Sequence, residues 1–210
     1  MDYVFYVADC ETTGLDSRLH DIIELSLLRL SDGEQKTWYI KPINPNNIEA
    51  AALRINGHKL EDITWQTKAG RDRYMEPAKA IIEIENWMME DGVPAEQRML
   101  VGQNIAFDRE RFEQLWIKCN SKDSFPFGRR VMDTMIIEVF LDWCKTQLSG
   151  LNFKMAEGYS LNNLTKKYGV KNDKAHAADA DVRATRDVFL KQTDFFTSLL
   201  KNAVNSGLLG

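Results

Sequence analysis

Hydrophobic and polar positions along the chain alternate between strand-like runs and helix-like stripes. Tyr3-Val4-Phe5-Tyr6-Val7-Ala8 is an unbroken apolar run of β-prone residues, the pattern of a strand buried on both faces, and it stops at Asp9. Asp21 to Leu30 predicts a second strand through Ile22-Ile23-Glu24-Leu25-Ser26-Leu27-Leu28, followed by the turn Ser31-Asp32-Gly33 and a third strand from Lys36 to Ile40. Pro42 and Pro45 end this meander. Ile48 to Ile55 predicts a short helix stopped by Gly57. Pro77 opens a clearer one through Ile81, Ile84, Trp87 and Met88 to Asp91-Gly92.

The second half repeats a strand–helix rhythm. Met99-Leu100-Val101 predicts a fourth strand, and Ala106 to Cys119 a helix with Phe107, Phe112, Leu115 and Trp116 on one side. Val131-Met132 predicts a short fifth strand, after which Asp133-Thr134 caps a helix to about Cys144. Ser160 caps another, Leu161 to Tyr168, which Gly169 stops. A last helix runs from about Ala177 to Leu200. With no repeat, linker or low-complexity tract, residues 1–210 read as a single domain: a mixed α/β sheet with helices on its faces.

Composition adds limits. The 210 residues are enough for one sizeable core, and 44% hydrophobic with 28% charged residues is ordinary for a globular chain. Three cysteines, Cys10, Cys119 and Cys144, make a disulfide framework unexpected and fit a reducing, cytoplasmic setting. No basic leader and no membrane-length apolar run is visible, so no membrane association is expected. A net charge of −4 argues against a tight non-specific nucleic-acid binder, whose affinity would come from Lys and Arg. It does not exclude an enzyme that engages a chain end briefly.

Three patches concentrate the chemistry. Asp9 and Glu11, just past the first strand, lie two apart on an extended backbone and can face one ion; hard divalent cations take such oxygen ligands. Thr12-Thr13-Gly14 follows as a turn whose N–H groups and hydroxyls could receive a polar substrate group. Asn104 precedes the helix predicted from Ala106 to Cys119 and Asp108 lies on its first turn. Asp181 sits on the apolar stripe of the last helix, among Ala177, Ala178, Ala180 and Ala184, whose small side chains would let that helix approach the sheet near Asp9. A carboxylate there needs a partner or a metal. His176, one of three histidines, could act as a general base near neutral pH.

Together these patches resemble the h-type DEDD exonucleases, the superfamily of the proofreading epsilon subunit of bacterial DNA polymerase III. The first motif is Asp9-Cys10-Glu11-Thr12-Thr13-Gly14-Leu15, the second Asn104-Ile105-Ala106-Phe107-Asp108, the third His176-Ala177-Ala178-Asp179-Ala180-Asp181. Val101-Gly102-Gln103-Asn104, Met132-Asp133-Thr134 and Ser160-Leu161-Asn162-Asn163-Leu164 extend the likeness over nearly the whole chain. The resemblance implies a ribonuclease-H-like mixed five-stranded sheet flanked by helices, and 3′-5′ hydrolysis of DNA to mononucleotides with two divalent ions, Mg²⁺ or in its place Mn²⁺. Asp9, Glu11 and Asp181 would hold the first ion, Asp9 would bridge to the second, Asp108 would support it through water, and His176 would take a proton from the attacking water. Thr12, Thr13, Gly14, Leu15, Asn104 and Phe107 would contact the substrate. Where family members often carry Ile-His-Gly, this chain has Ile55-Asn56-Gly57; Asn56 is expected to alter a contact to the terminal nucleotide and to touch no metal ligand.

Two other readings accompany this one. A ribonuclease of the same superfamily would share every motif, because DNA and RNA are told apart by contacts to the 2′-OH. An inactive nucleic-acid or polymerase-binding module would have no use for mutually repelling carboxylates. A single-stranded 3′ end is the expected partner, DNA ahead of RNA, with a polymerase possible but no long tethering tail beyond the last helix. Gln192-Thr193-Asp194-Phe195-Phe196 resembles peptides that dock on sliding clamps, yet it continues the stripe through Asp181 and Val188 at helical spacing, so Phe195 and Phe196 are expected in the core.

Overall fold

In the computed structural model, residues 3–121, 124–150, 158–172 and 174–206 are described. The expectation about the tail at Leu208-Leu209-Gly210 falls outside them.

Five strands form one mixed sheet: β1 (Val4–Thr12), β2 (Ile22–Arg29), β3 (Gln35–Tyr39), β4 (Arg98–Gly102) and β5 (Val131–Asp133), in the order β3-β2-β1-β4-β5. β1 to β3 make an antiparallel meander, and β4 and β5 run parallel to β1 and to each other. Helices α1 (Ala50–Asn56), α2 (Leu60–Ile63), α3 (Lys68–Arg73) and α4 (Pro77–Met89) precede β4. Then come α5 (Ile105–Lys118), α6 (Thr134–Ser149), α7 (Leu161–Tyr168) and α8 (Ala178–Asn205).

The strand period of two sorts β1 between two layers. Tyr6, Ala8 and Cys10 join the larger core with Trp38, Ile84, Trp87, Met88, Phe112, Leu115 and Trp116, under α4 and α5. Val7 faces the other way, packing with Leu28, Val101, Val182 and Phe189 under α8. Asp9 and Glu11 therefore continue the α8 side of the strand. Buried Ala178, Ala180 and Ala184 bring α8 onto β1 and β2, as their size suggested.

Local cap chemistry is where sequence predicted it. Pro77 opens α4, Gly57 and Gly169 end α1 and α7 in left-handed backbone, and the Ser160 hydroxyl accepts from Asn163 N–H. Asp133 caps α6 through Met135 and Ile136, and also accepts from the N–H groups of Asn104 and Ile105, so one carboxylate closes two helix starts.

Three expectations are corrected. β1 does not end at Asp9: pairing with β2 carries it to Thr12, with an irregularity between Glu11 and Thr12, so both acids lie inside the strand. Short helices α2 and α3 occupy a stretch without helical periodicity, docked through Ile63, Trp65 and Tyr74. Phe195 is 40% exposed and Leu199 49%, so the stripe of α8 outruns the surface that covers it, and Phe195 is not core. Phe196 is half-buried and stacks on Phe140, while α8 stays continuous to Asn205.

Candidate active site

The site forms where β1 loses its parallel neighbour. β1 pairs with β4 only from Val4 to Val7. Beyond that point the Cys10 N–H donates to Asp108 Oδ1 at 2.9 Å, so a side chain from the first turn of α5 replaces the missing strand. The Cys10 thiol lies against the same carboxylate.

Asp181 comes from the first turn of α8 and is 7% exposed. It accepts from Asn172 Nδ2 at 2.7 Å and from the His176 N–H at 2.9 Å. His176 itself is exposed, in a left-handed conformation (φ 63°) that turns the chain sharply into α8. Donor atoms of Glu11, His176 and Asp181 lie within 4.8 Å of one another. Asp9 and Asp108 complete the cluster electrostatically.

The crowding shows in the acids. Burial, then the charges of Asp108, Asp181, Glu11 and Glu24, hold the Asp9 carboxyl well above the usual range. Burial followed by Asp181, Glu24 and Asp108 pushes Glu11 up to about 8, against a smaller pull from an Asn56 hydrogen bond. Burial raises Asp108 to about 7 despite the Cys10 donors, and raises Asp181 despite Asn172 and His176. Several acids that resist ionisation together, with oxygen donors converging and a histidine beside them, make a donor set that fits a hard divalent cation.

The loop after β1 holds its own shape. Thr13 is fully buried, its N–H donating to Asp21 O and its hydroxyl accepting from Asp21 N–H, so these groups lock the loop. The Thr12 hydroxyl donates to Gly14 O at 2.8 Å. A Cβ on Gly14 would lie 2.5 Å from the His20 ring, so close packing demands glycine there. Leu15, at the loop tip, is 75% exposed, which excludes core packing. Phe107 is half-buried under the Arg111 guanidinium. Asn104 is exposed in left-handed backbone (φ 55°) before α5, and its side chain makes no cap bond.

Sequence reasoning missed Glu24 and His58 and misjudged Asn56. Asn56 donates to Thr12 O at 3.1 Å and also hydrogen-bonds Glu11, so it does touch a proposed ligand. Glu24 is the cross-strand partner of Glu11 and is buried. His58 Nε2 meets Glu24 Oε2 at 2.9 Å and Nδ1 meets the Tyr74 hydroxyl at 2.5 Å. A glutamate inside the unbroken apolar run of β2 was the available signal, since an acid buried there requires a partner.

Residues 6–189 match a family model described as "Exonuclease". A DNA polymerase III PolC-type protein of Thermotoga petrophila is 28% identical over 187 residues, 89% of this chain and 12% of that protein. The "3'-5' exonuclease DinG" of Bacillus subtilis is 27% identical over 188 residues, 89% of this chain and 17% of its own length. E. coli ExoI, solved in a complex with single-stranded DNA and zinc, superposes with a TM-score of 0.69 at 21% identity, covering 98% of this chain and 43% of that one. The chain thus spans well under half of the proteins it matches, and shares with ExoI the ribonuclease-H-like sheet flanked by helices.

Proposed function

This chain belongs to the exonuclease family, and from that premise we propose that it releases mononucleotides from the 3′ end of single-stranded DNA by divalent-metal-dependent hydrolysis. The observation that carries the reading is the convergence of Glu11, His176 and Asp181 donors beside Asp9 and Asp108, with the Asp9, Glu11 and Asp108 carboxyls held above their ordinary range by burial and, for Asp9 and Glu11, by neighbouring acids.

Asp9, Glu11 and Asp181 would hold one ion; Asp9 would share a second, supported through water by Asp108. Two such ions, Mg²⁺ with Mn²⁺ able to substitute, would supply a charge that acidifies a water and offsets the negative charge of an in-line displacement. His176, exposed at the lip of the cluster, accepts the proton of the attacking water. The P–O3′ bond breaks, the 3′ oxygen of the shortened strand takes a proton, and a 5′-mononucleotide leaves. Leu15 and Phe107 flank the terminal nucleotide, and Thr12, Gly14 and Asn104 line its path. Asn56 orients Glu11 from the side.

DNA is favoured over RNA because relatives carry DNA polymerase III names and a fold neighbour was solved with single-stranded DNA. The same relatives favour a proofreading or replication-linked role, which we propose for residues 1–210 as one exonuclease domain acting in the cytoplasm. No helix among the described residues is long and apolar enough to cross a membrane. The test is parallel digestion of 5′-labelled and 3′-labelled DNA and RNA strands, with Mg²⁺ and with chelator. Metal-dependent release of single nucleotides from the DNA 3′ end is expected. Faster digestion of RNA, attack from the 5′ end, or activity in chelator would overturn it.

A further inference from the structure

We propose that Arg111 is a positioning residue that clips the loop after β1 to α5, fixing Leu15 and Phe107 as a rigid pair around the terminal nucleotide; this rests on the exonuclease reading above. Arg111 is 5% exposed. A guanidinium so enclosed is expected to face a carboxylate at close range. Its one ion-pair contact is instead loose, 3.8 Å to Glu110, a residue whose side chain is mostly in solvent. Among the described residues its close contacts go to Leu15 and Phe107. Nη2 donates to the carbonyl of Leu15, Nη1 donates to the carbonyl of Phe107 at 2.8 Å, and Cζ lies 3.2 Å from the centre of the Phe107 ring. Among the described residues Nε has no partner.

Those two residues are the ones assigned to flank the substrate; Phe107 is carried by α5, whereas Leu15 lies at the exposed loop tip. The Leu15 side chain projects into solvent, so its position depends on its backbone. The other ties from α5 to this loop reach further along it: Ser17 Oγ donates to Glu110 at 2.8 Å, and Lys118 donates to His20 O and Asp21. Arg111 is the tie at the tip. A planar fork can stack on a ring and donate in two directions at once, which an ammonium cannot do. An ordered tip removes the cost of ordering it when a strand end arrives, so the effect belongs to binding. The charge of Arg111 also favours ionised Asp108, a separate influence that would act on metal binding and turnover.

Steady-state kinetics on a labelled single-stranded oligonucleotide separate these roles, with Arg111→Lys keeping the charge and Arg111→Met removing it. Arg111→Lys should raise KM about tenfold or more with kcat within about threefold and with Mn²⁺ affinity and melting temperature near wild type, whereas Arg111→Met should raise KM at least as far and also lower kcat through the lost charge beside Asp108. Normal KM in Arg111→Lys, or a fall in kcat at constant KM, would overturn the clip in favour of a charge effect on Asp108. Should both variants fail to fold, wild-type protein decides: ¹⁵N spectra should show slowly exchanging Arg111 guanidinium protons that shift when dTMP is added with Mg²⁺. A freely rotating, unresponsive guanidinium would overturn it. Wild-type protein inactive on every strand end would instead sink the exonuclease reading, a result distinct from either.

Discussion

Glu11→Gln should abolish turnover and yet make the metal-free protein more stable, by an amount that depends on pH. The folded protein holds Glu11 at about 8 against an ordinary value of 4.5. Because the folded value is raised, the associated stability is present in full below the unfolded value and is lost as pH rises through the folded one. At 1.36 kcal/mol per unit, the wild-type penalty is about 4 kcal/mol at pH 8, about 2 at pH 6 and under about 1 at pH 5. Glu11 is only partly buried, and solvent screening halves this to roughly 2 kcal/mol at pH 8. The glutamine keeps the shape and can still accept from Asn56, so little packing is lost. Thermal unfolding in chelator should show the variant ahead by about 4–8 °C at pH 8, with the gap closing toward pH 5. Adding Mg²⁺ should narrow the gap at pH 8, because wild type gains binding energy that the variant lacks. A variant no more stable than wild type at pH 8, or a gap independent of pH, would refute the reasoning.

Asp9→Ala and Asp181→Ala should each eliminate nuclease activity with the fold retained by circular dichroism, and near-normal turnover in either would remove it from the site. His176→Ala should slow hydrolysis by about two to four orders of magnitude at neutral pH with Mn²⁺ affinity nearly unchanged, as measured by calorimetry. A large loss of affinity would make it a ligand. Chelation should stop hydrolysis and lower the melting temperature, and Mg²⁺ or Mn²⁺ should restore both. Replacing Phe195 and Phe196 together by alanine should cost only about 1–2 kcal/mol in denaturant unfolding, since Phe195 is 40% exposed; a loss of several kcal/mol would place both in the core.

What the sequence made legible was local. Pro77, Gly57, Asp133, Ser160 and Gly169 mark helix ends because a cap depends on a few adjacent residues, and each sits where it was expected. The order of strands and helices was legible for the same reason. Contacts between distant segments were not. The apolar run stops at Asp9, but β2 holds β1 in extended pairing to Thr12 whatever the polarity of its side chains. Hydrophobic spacing along α8 continues to Leu199, yet spacing cannot say where the covering surface ends. Asn56 read as a departure from a family pattern, and only the fold shows its amide against Glu11. Of the site residues, the acids of the three motifs were visible as patches. The tie between Thr13 and Asp21 was not visible, because nothing in the sequence joins those two positions.

The placement of the acids follows from the sheet itself. Asp9 and Glu11 lie in the last part of β1, Asn104 follows β4, and Asp133 ends β5, so the polar groups gather at the carboxyl ends of the three parallel strands. Crevices in open α/β sheets form at that edge. Here the crevice opens because β4 leaves β1 after Val7, and the backbone it leaves unpaired is taken up by Asp108. The same carboxylate therefore completes the strand's hydrogen bonding and sits beside Asp9. On the other side, β2 stays paired and supplies Glu24, whose hydrogen bond to His58 lets a second buried acid stand opposite Glu11. Removing the His58 ring would leave that acid without its partner, next to a cluster already short of positive charge. The fold tolerates this concentration of negative charge because the apolar layers beneath it, Tyr6 and Trp87 on one face and Val7 and Phe189 on the other, do not depend on it.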